Sequence, residues 1–190
     1  MDGHDRLLPP AGIPAPPLAG PGVRLRPVLP EDVPALTAIL GEPSVARWWT
    51  GYDAVRVEEE LLTADAETTV WVIEARLDPA TGPEVVGAIE AWEEPNEEYR
   101  HAAIDLFLAT AAQGRRLGPA AVRAVARWLI EGRGHHRLTI DPAADNARAI
   151  RAYAALGFRP VGTLRSYQRL PDGGWADGLL MELMADELVG

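Results

Sequence analysis

Leu108-Ala-Thr-Ala-Ala-Gln-Gly-Arg-Arg-Leu-Gly118 is the stretch that decides the fold. It follows an apolar run typical of a strand and leads into an amphipathic helical pattern. A strand that turns directly into a helix aims backbone N–H groups and the positive end of the helix dipole at one point, which suits a pyrophosphate. Arg115 and Arg116 add positive charge, and Arg123 and Arg127 recur along the helix. Taken alone, the stretch fits an ordinary strand-to-helix turn with solvated arginines equally well.

Strands and helices alternate on both sides of this turn. The patterns predict strands over 23–26, 69–75, 85–92, 102–108, 137–141, 158–165 and 179–183, and helices over about 31–40, 45–49, 53–64, 118–130 and 146–156. Gly157 is expected to end the last helix as a left-handed cap. The order predicts an α/β (α+β) domain with a mixed central sheet of six to seven strands flanked by helices.

Composition limits the chemistry. The 190 residues include no cysteine, which excludes a disulfide framework, a thiolate zinc site and a cysteine nucleophile. The four histidines lack the spacing of a metal motif, so no metal is expected. The formal net charge of −10 disfavours a nucleic-acid partner, whose phosphates require Lys and Arg. That charge suits a cationic small molecule, and solubility explains it equally well.

The N-terminal part of the sequence differs from the rest. Residues 1–22 are rich in Pro and Gly and have little bulky apolar surface, which predicts a disordered or extended tail before a domain over 23–190. No apolar run is long enough to span a bilayer, and Asp2 and Asp5 do not fit a secretory signal. We therefore expect a cytoplasmic protein with no membrane partner, either a monomer or a homodimer.

The turn resembles the acyl-CoA signature of the GNAT superfamily of N-acetyltransferases, Q/R-x-x-G-x-G/A after a strand that ends in V-x-P. Gln113 and Gly118 match this signature. Two positions depart from it: Arg116 replaces the first motif glycine, and Thr110 replaces the proline. We expect the backbone of Arg116 still to bind an anion if its φ is negative.

A second segment, residues 141–158, resembles the family's N-x-x-A-x-x-x-Y-x-x-x-G-F pattern through Asn146, Ala149, Tyr153 and 157–158. The resemblance implies that the Asn contacts the pantetheine arm and that Tyr153 protonates the leaving thiolate. It also implies a sheet that splays beside the turn to admit acetyl-CoA, the expected co-substrate. The resemblance covers about residues 23–187.

The first half of the chain indicates the acceptor. Trp48-Trp49, Asp105 in the strand before the turn, and Asp141-Pro142 are similar to segments of aminoglycoside 6′-N-acetyltransferases, which implies a polycationic amine and a role in antibiotic resistance. One tryptophan is expected to face the core and the other, Trp49 by preference, to line the cleft. Asp105 lies in an apolar strand beside the turn, which favours a functional role.

Carboxylates are the groups expected to bind ammonium ions. The region before the turn supplies six acids and one aromatic residue: Glu90, Trp92, Glu93, Glu94, Glu97, Glu98 and Asp105. A solvated loop explains each single Glu of this run equally well.

The predicted site has three parts. The catalytic residues are Asp105, which orients and helps deprotonate the amine, and Tyr153. The acyl-CoA residues are Phe107, Leu108, Ala109, Gln113, Gly114, Arg115, Arg116, Leu117, Gly118, Pro119, Ala120, Asn146, Ala149 and Tyr153. The substrate residues are Trp48, Trp49, Trp92, Glu93, Glu94, Asp105, Asp141 and Asp177. The resemblance implies direct attack of the amine on the thioester, with the Leu108 N–H polarising its carbonyl.

Other functions stay open on the sequence. A related branch acylates a hydroxylamine during siderophore assembly, but a His usually stands there where this chain has Asp105. Transfer to a protein N-terminus would call for a peptide groove, which no motif indicates. A non-catalytic acyl-CoA-binding module is the alternative of another class.

Overall fold

The computed structural model describes residues 15–189, and the first fourteen residues of the predicted tail lie outside this range. The strands are β1 Leu18–Gly20, β2 Val23–Pro27, β3 Thr68–Ala75, β4 Glu84–Glu93, β5 Ala102–Leu108, β6 Arg137–Ile140, β7 Arg159–Arg169 and β8 Trp175–Met184. The helices are α1 Val33–Leu40, α2 Pro43–Ala46, α3 Ala54–Val57, α4 Leu117–Arg127 and α5 Ala147–Ala154. Wider π turns extend α3 over Glu58–Leu62 and α4 over Trp128–Gly132.

One sheet organises the domain, with strand order β1-β2-β3-β4-β5-β6-β8-β7. Every neighbouring pair is antiparallel except β5 and β6, which are parallel. Successive residues of β4, such as Ala88 and Ile89, are both buried. Because successive side chains in a strand point to opposite faces, both faces of the sheet centre are covered. The predicted mixed sheet flanked by helices is confirmed.

The segment before Val23 differs from the predicted tail. Leu18–Gly20 pairs with β2 and adds an eighth strand to the six or seven predicted. The Trp71 indole donates to the Pro16 carbonyl at 2.8 Å, and Leu18 packs against the core. A short strand can be held by an edge of the sheet and one side-chain hydrogen bond, so its low apolar content did not prevent it from pairing.

The helix ends explain two local features of the site. Gly157 follows α5 with a φ of +108°, as predicted, and a Cβ there would lie 2.3 Å from the Glu187 carbonyl oxygen. The predicted helix over 45–49 is wrong in its bounds, because α2 ends at Ala46 and Trp48-Trp49 lie in the turn that follows.

Candidate active site

The parallel junction of β5 and β6 is very short. Only Ala102 with Leu138 and Ala103 with Thr139 are paired, although β5 continues to Leu108. Beyond Ala103 the two strands separate and open a gap in the sheet. The Ala109 N–H donates to Val86 on β4, and alternate N–H groups point to opposite sides of a strand. The Leu108 N–H therefore faces the gap.

A cleft of about 270 Å³, called the turn cleft below, occupies this gap. Its walls come from the turn before α4, from α5 and from the α2 turn. It is lined by Ser44, Val45, Trp48, Trp49, Leu106, Phe107, Leu108, Ala112, Gln113, Gly114, Arg116, Leu117, Gly118, Pro119, Asn146, Arg148, Ala149, Ala152 and Tyr153. Eleven of the fourteen predicted acyl-CoA residues lie here, and Ala109, Arg115 and Ala120 do not. Ala109 and Ala120 are buried beneath the turn, and the Arg115 guanidinium donates to the Leu77 carbonyl at 3.0 Å.

The turn itself carries two left-handed residues, Gly114 with a φ of +78° and Arg116 with a φ of +63°. The condition of a negative φ at Arg116 is not met: Arg116 adopts the left-handed backbone conformation that favours glycine. Turns that contain left-handed residues gather successive N–H groups into an anion-binding concavity. The N-terminus of α4 follows at Leu117, so its free amides add to the same concavity.

A hydrogen-bond network fixes this turn to its neighbours. Glu42 accepts from the Thr110 backbone N–H at 2.6 Å, and the Thr110 and Ser44 hydroxyls are 2.6 Å apart. The Gln113 amide donates to the Leu108 carbonyl at 2.9 Å and accepts from Arg148 at 2.5 Å. Thr110 thus replaces the rigidity of the family's proline with hydrogen bonds.

A second cleft of about 560 Å³, called the acidic cleft below, adjoins the first. It is lined by Trp48, Trp49, Thr50, Tyr52, Arg56, Glu90, Asp105, Gln168, Arg169, Leu170 and Pro171. Both tryptophans line both clefts, and Trp49 also packs against the core, so the preference for Trp49 over Trp48 as the cleft residue is wrong. Both are half-buried: Trp49 contacts the Phe107 ring edge-on at 5.0 Å, and Arg47 covers the Trp48 ring at 4.1 Å.

Two carboxylates form the floor of the acidic cleft. Glu90 on β4 is the cross-strand partner of Asp105 on β5. Burial, assisted by Glu60 and Asp65, raises the pKa of Glu90 to about 7. Burial, then the charges of Glu90 and Asp141, raises the pKa of Asp105 well above its usual range, although its own surface is open to the cleft.

Tyr153 and Asp141 lie on the far side of the gap. Tyr153 projects from α5 into the turn cleft, and its pKa is raised by burial and by the charges of Asp105 and Asp141. Its hydroxyl therefore stays protonated over the working pH range. Asp141 follows β6, and burial raises its pKa against the lowering effect of the Tyr167 hydroxyl. Asn146 lines the turn cleft and also caps α5, accepting from the Ala149 N–H at 3.2 Å.

Five predicted substrate residues line neither cleft: Asp141, described above, and Trp92, Glu93, Glu94 and Asp177. Glu93 accepts from Arg133 at 3.0 Å and contacts His135 at 2.7 Å, so it belongs to a buried ion cluster. Because it is an odd number of residues from Glu90, its side chain points to the opposite face of β4. Glu94 accepts from the Asn96 N–H in the following loop.

Trp92 and Asp177 also make their contacts outside the two clefts. Trp92 packs edge-on against His101 at 5.8 Å, and Asp177 accepts from the Ser166 N–H at 2.8 Å, where β7 is irregular. The structure therefore corrects their placement at the substrate site, together with that of Glu93 and Glu94.

Several residues of the acidic cleft were not singled out from the sequence. Glu90 is one of the six acids of the run before the turn, and its strand register with Asp105 is what distinguishes it from the others. Tyr52, Arg56 and Gln168 lie far from Asp105 in the sequence, and no local pattern could have joined them to it.

Residues 15–189 contain no cluster of three or more His, Asp or Glu arranged to hold a metal ion. None of the helices in this range has the length and apolar character that crossing a bilayer requires.

A gap between splayed parallel strands, closed by an anion-binding turn and flanked by an acidic cleft, defines an acyl-CoA-dependent N-acyltransferase. Residues 23–159 match the family described as "Acetyltransferase (GNAT) domain", and the chain belongs to this family. GNAT acetyltransferases use acetyl-CoA, so the protein is an acetyl-CoA-dependent N-acetyltransferase.

Three similar proteins agree with this family. An aminoglycoside N(6′)-acetyltransferase type 1 from Klebsiella pneumoniae is 30% identical over 162 residues, covering 80% of this chain and 79% of that protein. A kanamycin resistance protein from Rhizobium radiobacter is 37% identical over 83 residues, covering 43% and 72%. The structure of Mycobacterium smegmatis RimJ in complex with CoA-disulfide has a TM-score of 0.73 at 25% identity, covering 92% and 88%. The resemblance to aminoglycoside 6′-N-acetyltransferases found in the sequence is confirmed.

Proposed function

We propose that this protein transfers the acetyl group of acetyl-CoA to a primary amine of a polycationic small molecule, and that this amine is the 6′-amine of an aminoglycoside. The observation that carries the proposal is the pair of carboxylates, Glu90 and Asp105, at the floor of a cleft that adjoins the turn cleft through a shared wall. Carboxylates favour a bound ammonium, and the adjoining tryptophans offer flat apolar surfaces to a sugar ring.

The turn cleft fits the acyl-CoA donor. The left-handed turn at Gly114 and Arg116 and the N-terminus of α4 would hold the pyrophosphate. Asn146 and Ala149 on α5 would face the pantetheine arm across the gap from Leu108. The donor supplies an acetyl thioester, whose carbonyl the free N–H of Leu108 would polarise.

The proposed chemistry is direct transfer to the amine. Asp105 orients the acceptor nitrogen and helps to remove its proton, because it lies on the strand that borders the gap. Tyr153, kept protonated by burial and by two neighbouring acids, donates a proton to the departing sulfur. The sequence contains no cysteine that could carry the acetyl group as a second thioester.

The similarity to the aminoglycoside N(6′)-acetyltransferase supports the choice of acceptor, since it extends over four-fifths of both chains. The acidic cleft supports it independently, because an aminoglycoside carries several ammonium groups on rings with apolar faces. A formal net charge of −10 is consistent with attraction of such a polycation.

The test is acetyl-CoA turnover, followed by thiol release, with kanamycin-type aminoglycosides, spermidine, an N-hydroxylysine analogue and a short peptide. We expect saturable turnover with the aminoglycosides and acetylation at the 6′-amine in the product mass and NMR spectra. Turnover confined to the hydroxylamine, the polyamine or the peptide would overturn the choice of acceptor. Acetyl-CoA binding without turnover of any amine would favour the non-catalytic module.

A further inference from the structure

Glu90 and Asp105 are direct cross-strand partners on β4 and β5, and both line the acidic cleft. They face each other across antiparallel strands, where Cβ atoms are about 4.5–5.5 Å apart and like charges destabilise the pair. Among residues 15–189, no salt bridge joins either carboxylate to a cation. The fold thus holds two acids together without a protein counterion.

Two arginines line the acidic cleft, Arg56 and the exposed Arg169, and Arg56 is already engaged. The Arg56 Nε donates to Glu60 at 2.7 Å, and its Nη1 donates to the Thr50 carbonyl at 2.7 Å. The Tyr52 hydroxyl donates to the other Glu60 oxygen at 2.5 Å, and Arg56 stacks on the Tyr52 ring. Arg56 therefore compensates Glu60 and leaves Glu90 and Asp105 to another partner.

The groups around the pair come from every neighbouring element. Those that influence it are Glu60 of the π turn, Asp65 before β3, Asp141 after β6, Tyr153 of α5, and Tyr167 of β7 through Asp141. Three of these are acids, and the two tyrosines are neutral at physiological pH. Arg56 is paired with Glu60, and no salt bridge among the described residues joins the exposed Arg169 to either carboxylate. The surroundings therefore disfavour two simultaneous negative charges and favour an added cation.

We propose that Glu90 and Asp105 form a single proton-sharing pair, in which Glu90 sets the charge state of Asp105 and the pair as a unit receives the proton of the substrate ammonium. Glu90 is thus a positioning residue for Asp105, one strand further from the gap. This inference rests on the proposed function for its acceptor, but the pair itself exists in the free enzyme.

The proton balance follows from this arrangement. The free pair holds one proton, and it releases that proton to solvent when the ammonium binds between two ionised carboxylates. One ammonium proton then moves to the pair, and the neutral nitrogen forms a bond to the acetyl carbon as the carbon–sulfur bond breaks. Tyr153 gives its proton to the sulfur and is restored by the second proton that the nitrogen loses. One proton is released per acetyl transferred, and both groups return to their starting states.

The first measurement needs no acceptor. Carbon-13 NMR of carboxyl-labelled protein would follow Asp and Glu titrations in the wild type, Glu90→Gln, Asp105→Asn and the exposed loop control Glu97→Gln. We expect the Asp105 titration to move to lower pH in Glu90→Gln, because a negative neighbour has been removed, and to stay unchanged in Glu97→Gln. Glu90→Asp keeps the negative charge and should preserve the coupling between the two titrations. This variant provides the comparison with the wild type if Glu90→Gln folds poorly.

The second measurement is the pH profile of kcat/KM on any amine that is turned over. Glu90→Gln should lower kcat/KM at pH 7 by at least about tenfold and shift the acidic limb to lower pH. If the Asp105 titration and the profile of Glu90→Gln both match those of Glu97→Gln, the pair does not exist and the inference is overturned. If the titrations are coupled but no amine is acetylated, the pair stands and the proposed acceptor chemistry falls.

Discussion

Arg116 occupies a left-handed position of the turn, a conformation that favours glycine. Its φ of +63° lies in the left-handed region. This backbone conformation costs residues that carry a Cβ roughly 1–2 kcal/mol. Gly114, two residues earlier, has the same sign of φ, and no heavy atom lies within 4 Å of a Cβ added there. The motif predicted the turn, but the sign of φ at Arg116 is decided by how the turn closes onto α4.

Substitution of Arg116 separates backbone strain from the charge of its side chain. Arg116→Gly should raise the free energy of unfolding by about 1 kcal/mol relative to Arg116→Ala, since only glycine relieves the left-handed strain, and the greater freedom of the unfolded chain offsets part of this gain. Both variants lack the guanidinium and should weaken acetyl-CoA binding equally. Urea unfolding and calorimetric titration measure the two effects. Equal stability of the Gly and Ala variants would contradict the left-handed assignment.

The proton-donor role proposed for Tyr153 can be tested directly by a single substitution. Its hydroxyl stays protonated because burial and the charges of Asp105 and Asp141 raise its pKa. Tyr153→Phe should therefore lower kcat by about 10²-fold, with little change in the affinity for acetyl-CoA. Tyr99→Phe, at a 69% exposed position, is the matched control and should keep the wild-type rate. A full rate for Tyr153→Phe, with chemistry limiting turnover, would remove the proton-donor role.

At the scale of elements, the sequence was most informative where the hydrophobic period is regular. The meander β3–β5, α4 and α5 were predicted within a few residues of their observed bounds. The hairpin β7–β8 extends further than predicted because most residues of β7 are exposed and polar, so no apolar alternation marks its length. The residues of the acidic cleft come from four separated segments, and only the register of β4 against β5 pairs Glu90 with Asp105.

The cluster of Glu93, Arg133 and His135 ties the end of β4 to the segment that leads into β6. Burial alone would raise the pKa of Glu93, but the contacts of Glu93 with His135 and Arg133 outweigh this effect. The pKa of Glu93 is therefore lowered below its usual value of 4.5. A lowered pKa contributes stability above the unfolded-state pKa, and this contribution is lost as the pH falls through the folded-state pKa. The cluster therefore stabilises the fold at neutral pH and does not serve to bind the substrate.

Glu93→Gln should lower the free energy of unfolding at pH 7 by about 1–3 kcal/mol, because it removes the carboxylate charge that accepts from Arg133 and contacts His135 in a buried site. The difference from the wild type should shrink as the pH falls below 4.5. Urea unfolding at several pH values measures this, with Glu97→Gln as the exposed control. A loss of kcat per folded molecule, with stability unchanged, would return Glu93 to the substrate site.

At the scale of the whole molecule, the acidic charge lies in two kinds of place, the outer surface and the acidic cleft. The formal net charge of −10 acts over the surface, where salt screens it, whereas Glu90 and Asp105 act inside a cleft. Attraction of a polycation and recognition of its reacting amine should therefore respond differently to ionic strength.

Raising the salt concentration from 0.1 to 1 M shortens the screening length from about 10 to about 3 Å. We expect KM for a kanamycin-type acceptor to rise by about tenfold and kcat to change little, because screening weakens encounter more than the bound state. An amino sugar with a single ammonium group is the matched acceptor and should show a much smaller rise in KM. Equal salt dependence for the two acceptors would exclude long-range attraction as a source of affinity.

The wall formed by Trp48 and Trp49 has a thermodynamic consequence. Both indoles line both clefts, so a ligand that shifts them in one cleft alters the shape of the other. Any such coupling is reciprocal: the factor by which a bound donor changes acceptor affinity equals the factor by which the acceptor changes donor affinity. Through these two side chains each substrate would change the affinity for the other by the same factor. The order in which the substrates bind cannot change the size of that factor.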